Sequence, residues 1–168
     1  MNTILGPSPC KLPKIFDLGV VVDASGSIGE ENFKLIRSFL VKLIDQFDIG
    51  SSHTRIGFIE YNQSPRYSGF TPKSSVNQKA SILTNYVKTL KYLQGQTRTD
   101  LAMKLGYIKF FNGFERPYPN VMIVMTDGKT NEGSEPYSAI IPSFQVSEIA
   151  CFKDNYISLS MCLPIYCT

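Results

Sequence analysis

A chain of 168 residues is about one domain's worth of sequence, which excludes two full cores. Apolar residues make up 43% and charged residues 18%, ordinary globular usage that excludes wholesale disorder and collagen-like repeats. Lys and Arg number 17 against 14 Asp and Glu; a net charge of +3 without a basic cluster does not imply a nucleic-acid partner, and no apolar run reaches the about 18 residues of a membrane span.

The first 14 residues, MNTILGPSPCKLPK, form a lead-in with no basic n-region and no long apolar stretch, so they do not read as a signal peptide. If the mature protein is extracellular, the chain is then expected to be a piece of something longer or an incomplete gene product. Three short apolar runs follow along the chain: residues 16–22 (FDLGVVV), 55–61 (RIGFIEY) and 121–125 (VMIVM). Their near-continuous apolar character predicts strands buried on both faces, as in a parallel sheet covered by helices. Between the first two, Phe33, Ile36, Leu40, Leu43 and Phe47 recur at helical spacing, with Glu30 and Glu31 in the favourable first turn. Residues 65–70 (PRYSGF) are short and proline-led, so any strand there is an edge strand. Ser75 with Gln78 reads as a capping box before a second helix striped by Leu83, Tyr86, Leu90 and Leu93. A third helix opens near Asp100, with Leu101, Leu105 and Ile108 as its apolar side.

This order predicts an α/β fold, a doubly wound, mostly parallel sheet flanked by helices. In the strand order 3-2-1-4 the first and fourth strands are neighbours, and the crevice above their carboxyl ends is the favoured ligand position. Asp23 follows the first strand and Asp127 the fourth, so both carboxylates should project into that crevice. Around Asp23, residues 23–27 (DASGS) place three oxygen-bearing side chains at alternate positions of a glycine-relaxed turn. With no His or Cys nearby, such a loop suits a hard cation, Mg²⁺ first and Mn²⁺ or Ca²⁺ next. Residues 95–100 (GQTRTD) add two hydroxyls at the opening of the third helix. The competing structural reading makes Ser27, Thr97 and Thr99 helix caps and Asp23 the former of an Asx turn.

Together, D-x-S-x-S after a buried strand, G-x-T-x-T before a later helix and T-D-G after the next strand resemble the metal-ion-dependent adhesion site of von Willebrand factor type A domains. The resemblance runs from about Phe16 to Asn131 and implies a Rossmann-like fold. It also implies a metal held by Asp23, Ser25, Ser27, Thr97 and Asp127, some contacts running through water, with Thr99 capping its helix. Leu101 stands where many members carry Gly, a change its place in the apolar stripe should accommodate. The metal would take a carboxylate from a protein ligand presenting Asp or Glu, collagen or another matrix protein, with Tyr61, Asn62, Lys129, Thr130 and Asn131 as the selecting rim.

The expected division is a lead-in at 1–14, a domain core at 15–135 and an atypical or truncated ending at 136–168. Pro142 interrupts the helix the family pattern would place there, and alternation from Ile157 to Leu163 allows a half-exposed last strand. Cys10, Cys151, Cys162 and Cys167 sit near the two ends, an arrangement that suits terminal stapling by a disulfide of undetermined pairing. The position of Cys10 before the first strand resembles matrix proteins that close the domain with a disulfide, and it favours an extracellular or secreted setting. His53 reads as a solvated turn residue. Tyr61, Phe110, Phe111, Phe114, Tyr118 and Tyr156 read first as core aromatics. Two other function classes compete with adhesion: an intracellular scaffold, and a Mg²⁺-dependent phosphate-transfer enzyme with Asp23 as nucleophile. The enzyme would want an acid/base carboxylate where this chain has serines.

Overall fold

The computed structural model describes residues 14–127, 131–144, 148–153 and 158–160. A six-stranded sheet has the order β3-β2-β1-β4-β5-β6. Its strands are β1 (Asp17–Asp23), β2 (Arg55–Tyr61), β3 (Pro65–Tyr67), β4 (Asn120–Met125), β5 (Glu148–Lys153) and β6 (Ser158–Ser160). Strands β2, β1, β4 and β5 are mutually parallel, while β3 and β6 are antiparallel edges. The fold is thus α/β with a mixed, mostly parallel sheet, and the predicted neighbourhood of the first and fourth strands is observed.

Every residue of β1 is buried, which accounts for the unbroken apolar run of its sequence. Helices α1 (Glu30–Ile44) and α2 (Ala80–Thr89) cover one face, packing Phe33, Leu40, Ile44, Leu83 and Val87 on Leu18, Val20, Val22, Ile56 and Phe58. Helix α3 (Thr99–Phe110) covers the other face with Ala102, Met103 and Phe110 on Val21, Ile59, Met122 and Val124. The short α4 (Tyr137–Ile140) runs into a 3₁₀ turn, Ile141–Ser143, whose Pro142 occupies the start of the turn; Ile141 joins the same core.

The seat of α3 corrects the sequence reading. Leu101 and Ile108 face outward, 36% and 51% exposed, and the buried side is built from Ala102, Met103, Gly106 and Phe110. Small residues let the helix approach the sheet: a methyl on Gly106 would lie 3.3 Å from Val21 and 3.5 Å from Met122. Leu101 is therefore accommodated by pointing away from the core, not by joining it. At the far end of the helix the Phe110 ring rests on Gly19 and Gly57, which are register partners on β1 and β2.

Two further expectations change. Gln78 does not cap a helix, since α2 opens only at Ala80, with Lys79 at its cap position and no side-chain cap. Its buried amide instead accepts from Ile56 N–H at 2.8 Å and donates to Ile56 C=O at 3.0 Å and Thr71 C=O at 3.2 Å. It stands in for a neighbouring strand where β3 has ended. In the C-terminal region β6 falls inside the predicted alternation, but β5 was not anticipated. Cys151 belongs to β5, while Cys10, Cys162 and Cys167, and with them the disulfide expectation, lie outside the described residues.

Candidate metal centre

Parallel pairing of β1 with β4 puts Val22 opposite Met125, so Asp23 and the Thr126–Asp127 pair leave the same edge of the sheet. All three are buried, Asp127 at 9% exposure. Asp23 is anchored at both oxygens: Oδ1 accepts Ser25 N–H at 2.9 Å and Oδ2 accepts the Thr126 hydroxyl at 2.9 Å. Burial pushes the Asp23 carboxyl above its ordinary pKa; bonds from Ser25 and Thr126 oppose that shift, and the Asp127 charge adds to it. An adjacent cation would favour the ionised form that burial disfavours.

The hydroxyls converge beside it. Thr97 Oγ1 donates to Ser25 Oγ at 2.8 Å, and Ser25 Oγ lies 3.3 Å from Ser27 Oγ. Ser25 and Thr97 are buried, whereas Ser27 faces solvent. Hydroxyl oxygens sharing an octahedral Mg²⁺ at 2.0–2.1 Å would stand about 2.9 Å apart, so this spacing fits such an ion. The donor set is entirely oxygen, and among the described residues no group of three or more His, Cys, Asp or Glu side chains forms a carboxylate-rich or zinc-type cage. A hard cation fits the residues present.

Backbone bonds lock the loops together. Gly26 N–H donates to Gly95 C=O at 3.0 Å, and Leu93 and Gln94 N–H both reach Ala24 C=O. A methyl on Gly26 would come within 3.2 Å of Gly95 C=O. Thr97 exchanges bonds with Asn131, its N–H donating to Asn131 Oδ1 and its C=O accepting Asn131 N–H at 3.1 Å. Below this, the Arg98 fork grips the fully buried Asp100 through Nε at 2.8 Å and Nη2 at 2.7 Å, and Asp100 also accepts Glu135 N–H at 3.3 Å. These bonds, led by the Arg98 side chain, hold the Asp100 carboxyl below its usual range.

Asp23, Ser25, Ser27 and Thr97 thus meet at one edge with Asp127 beside them, and Asn131 clasps Thr97. The rim differs from expectation. Tyr61 shares a face with Ile59 under α3 and is fully buried; its hydroxyl lies 2.8 Å from Thr99 Oγ1. Burial, reinforced by the Asp23 charge, raises the Tyr61 hydroxyl well above its ordinary pKa. Tyr61 therefore floors the site instead of bordering it. Thr99 holds Tyr61 and makes no cap, because Arg98 occupies the cap position. Asn62 is also turned inward, 8% exposed, with Nδ2 donating to Gln94 C=O and its own C=O accepting Arg98 N–H. Lys129 and Thr130 lie outside the described residues. His53 sits before β2, at the opposite edge of the sheet. Thr126 is the threonine of the T-D-G motif, but sequence reasoning assigned it no role; the structure shows its hydroxyl orienting Asp23.

Residues 17–152 match the family profile described as von Willebrand factor type A domain. Human vitrin is 34% identical over 115 residues, 68% of this chain and 16% of vitrin. The collagen alpha-1(XXI) chain of Xenopus laevis is 30% identical over 116 residues, 69% of this chain and 12% of the collagen. Cuticlin-6 of Caenorhabditis elegans is 30% identical over 152 residues, 89% of this chain and 26% of the cuticlin, so the chain spans at most about a quarter of these relatives. Among solved structures, proximal thread matrix protein 1 from the mussel byssus, with a zinc-occupied MIDAS motif, superposes with a TM-score of 0.71 at 20% identity, covering 86% of this chain and 37% of that one. That likeness speaks to the fold, and the profile match speaks to descent. The chain belongs to the von Willebrand factor type A domain family.

Proposed function

We propose that this domain is a metal-dependent protein-binding module of adhesion or extracellular-matrix type, capturing an acidic residue of its partner through a Mg²⁺-class ion. The residues that would hold the ion are Asp23, Ser25, Ser27, Thr97 and Asp127. The observation that carries the reading is the convergence of Ser25, Ser27 and Thr97 hydroxyls beside Asp23 at the β1/β4 edge. A bound cation would supply an electrophilic position for a carboxylate oxygen. Three neutral hydroxyls leave a divalent charge less neutralised than an all-carboxylate cage would, which favours an incoming Asp or Glu.

The chain's own groups provide orientation. Thr126 and the Ser25 amide hold the Asp23 carboxylate, Asn131 holds Thr97, and Tyr61 with Thr99 closes the floor. No step of bond making or breaking is assigned, and the activity is binding. Relatives named as collagen chains and a cuticlin support a matrix setting and a matrix-protein partner. The test is adsorption to immobilised collagen and other matrix proteins. Binding should vanish in EDTA, return with Mg²⁺, and fall when partner carboxylates are neutralised by amidation. Binding indifferent to EDTA would place the interface elsewhere on the domain.

A further inference from the structure

Beside the metal loops lies a groove of about 310 Å³, lined by Glu30, Phe33, Lys34, Arg37, Lys91, Tyr92 and Gln94. It shares the edge of the sheet with the candidate metal centre. Tyr92 hydroxyl donates to Gly26 C=O at 2.9 Å, Gln94 N–H donates to Ala24 C=O at 2.9 Å, and Glu30 opens α1 just after the first metal loop. Its volume is at the small end of ligand pockets, enough for a side chain or two and not for a folded element.

The charges within it are unequally satisfied. Lys34 is answered by Glu31 at 2.7 Å and Glu30 at 3.7 Å. Arg37 lies over the Phe33 ring at 5.8 Å and, among the described residues, spends only Nη1, in long bonds of 3.4 and 3.3 Å to the carbonyls of Lys88 and Leu90. Its Nε and Nη2 donors keep the fork that a carboxylate accepts. The exposed Lys91 ammonium makes no ion pair within 4.0 Å among the described residues. The nearby Glu60 is bonded to the Lys91 backbone N–H at 2.9 Å. Two cations thus face a narrow groove whose floor is aromatic.

We propose that this groove takes a second carboxylate of the same acidic partner segment, on Arg37 and Lys91, while the first carboxylate reaches the metal; this rests on the metal-dependent reading above. Charge complementarity selects the occupant. A polysulfated chain would have to lie along the exposed Glu30 carboxylate that lines the groove and the neighbouring exposed Glu31, whereas a peptide can bring a single acidic side chain to Arg37 and Lys91.

The experiment uses labelled decapeptides in a Gly-Ser background carrying either one Asp, or that Asp with a Glu one to six residues away. Anisotropy is read in Mg²⁺ and in EDTA, and Mg²⁺ alone is titrated by calorimetry. At one or two spacings the second carboxylate should tighten binding to the unaltered domain about tenfold. Lys91→Glu should abolish that gain while leaving the single-Asp peptide and the Mg²⁺ titration unchanged; Arg37→Gln should reduce the gain. No gain at any spacing, or a gain that survives Lys91→Glu, overturns the proposal. Lys91-dependent binding of a heparin fragment without any peptide gain overturns it too. Absence of Mg²⁺ heat in the unaltered domain sinks the metal reading instead. The groove is then judged by the Lys91-dependent gain in EDTA, whose absence would overturn it as well.

Discussion

Adding one methyl group at Gly57 should loosen the domain without touching the candidate metal centre. A Cβ there would stand 2.5 and 2.6 Å from two carbons of the Phe110 ring and 2.8 Å from Pro72 Cδ. Ordinary carbon–carbon contacts are about 3.5–4.0 Å, so the ring must retreat by roughly an ångström. It has little room, being fully buried, with a Cβ on the adjacent Gly19 also reaching only 2.5 Å from it. Overpacking of this kind costs about 1–3 kcal/mol. Replacing a mid-strand glycine returns about 0.5–1 kcal/mol. Gly57→Ala should therefore destabilise by about 1–2 kcal/mol, read as a lower urea midpoint at unchanged m-value. Combining it with Phe110→Leu should cost less than the two singles added, because the smaller side chain vacates the space the methyl needs. A Gly57→Ala domain as stable as the parent, or strict additivity with Phe110→Leu, would refute the idea that the two glycines exist to seat this ring.

Thr126→Val should weaken Mg²⁺ binding about 10–100-fold by calorimetry, since it removes the hydroxyl that fixes Asp23 Oδ2 without altering side-chain volume. Gln78→Ala should lower stability by about 2–4 kcal/mol in urea unfolding, because both backbone groups of Ile56 and the Thr71 carbonyl lose a buried partner. Asp100 has a folded-state pKa held down by Arg98, so its contribution is complete above the unfolded value of about 3.9 and is lost as pH falls through the lower folded value. The difference in stability between the parent and Asp100→Asn, followed by chemical denaturation, should therefore be flat above about pH 5 and shrink toward acid.

Much of the architecture was legible because its signals are local. Strands β1, β2 and β4 announce themselves as unbroken apolar runs, and chirality plus strand order then brings Asp23 and Asp127 to one edge. What escaped depends on contacts that hydropathy does not encode. Helix α3 buries Ala102 and Gly106, which weigh little on any hydrophobic scale, while Leu101 and Ile108 weigh much and face outward. Strand β5 mixes Glu148 and Lys153 with Ile149 and Phe152 and so shows no uniform run. Tyr61 ends its strand near the site, but two-residue alternation from Ile59 sends its side chain under α3. The polar role of Gln78 is likewise invisible until β3 is seen to stop short of Ile56.

The central claim is that hydroxyls and carboxylates from three separate loops form one cation site, and calorimetric titration with Mg²⁺ tests it most directly. The unaltered domain should show saturable heat, and its melting temperature should rise with occupancy. Asp127→Ala and Ser25→Ala should each lose that heat while still unfolding cooperatively, and His53→Ala, at the opposite edge of the sheet, should keep it. Saturable heat that persists unchanged in Asp127→Ala and Ser25→Ala would contradict the account.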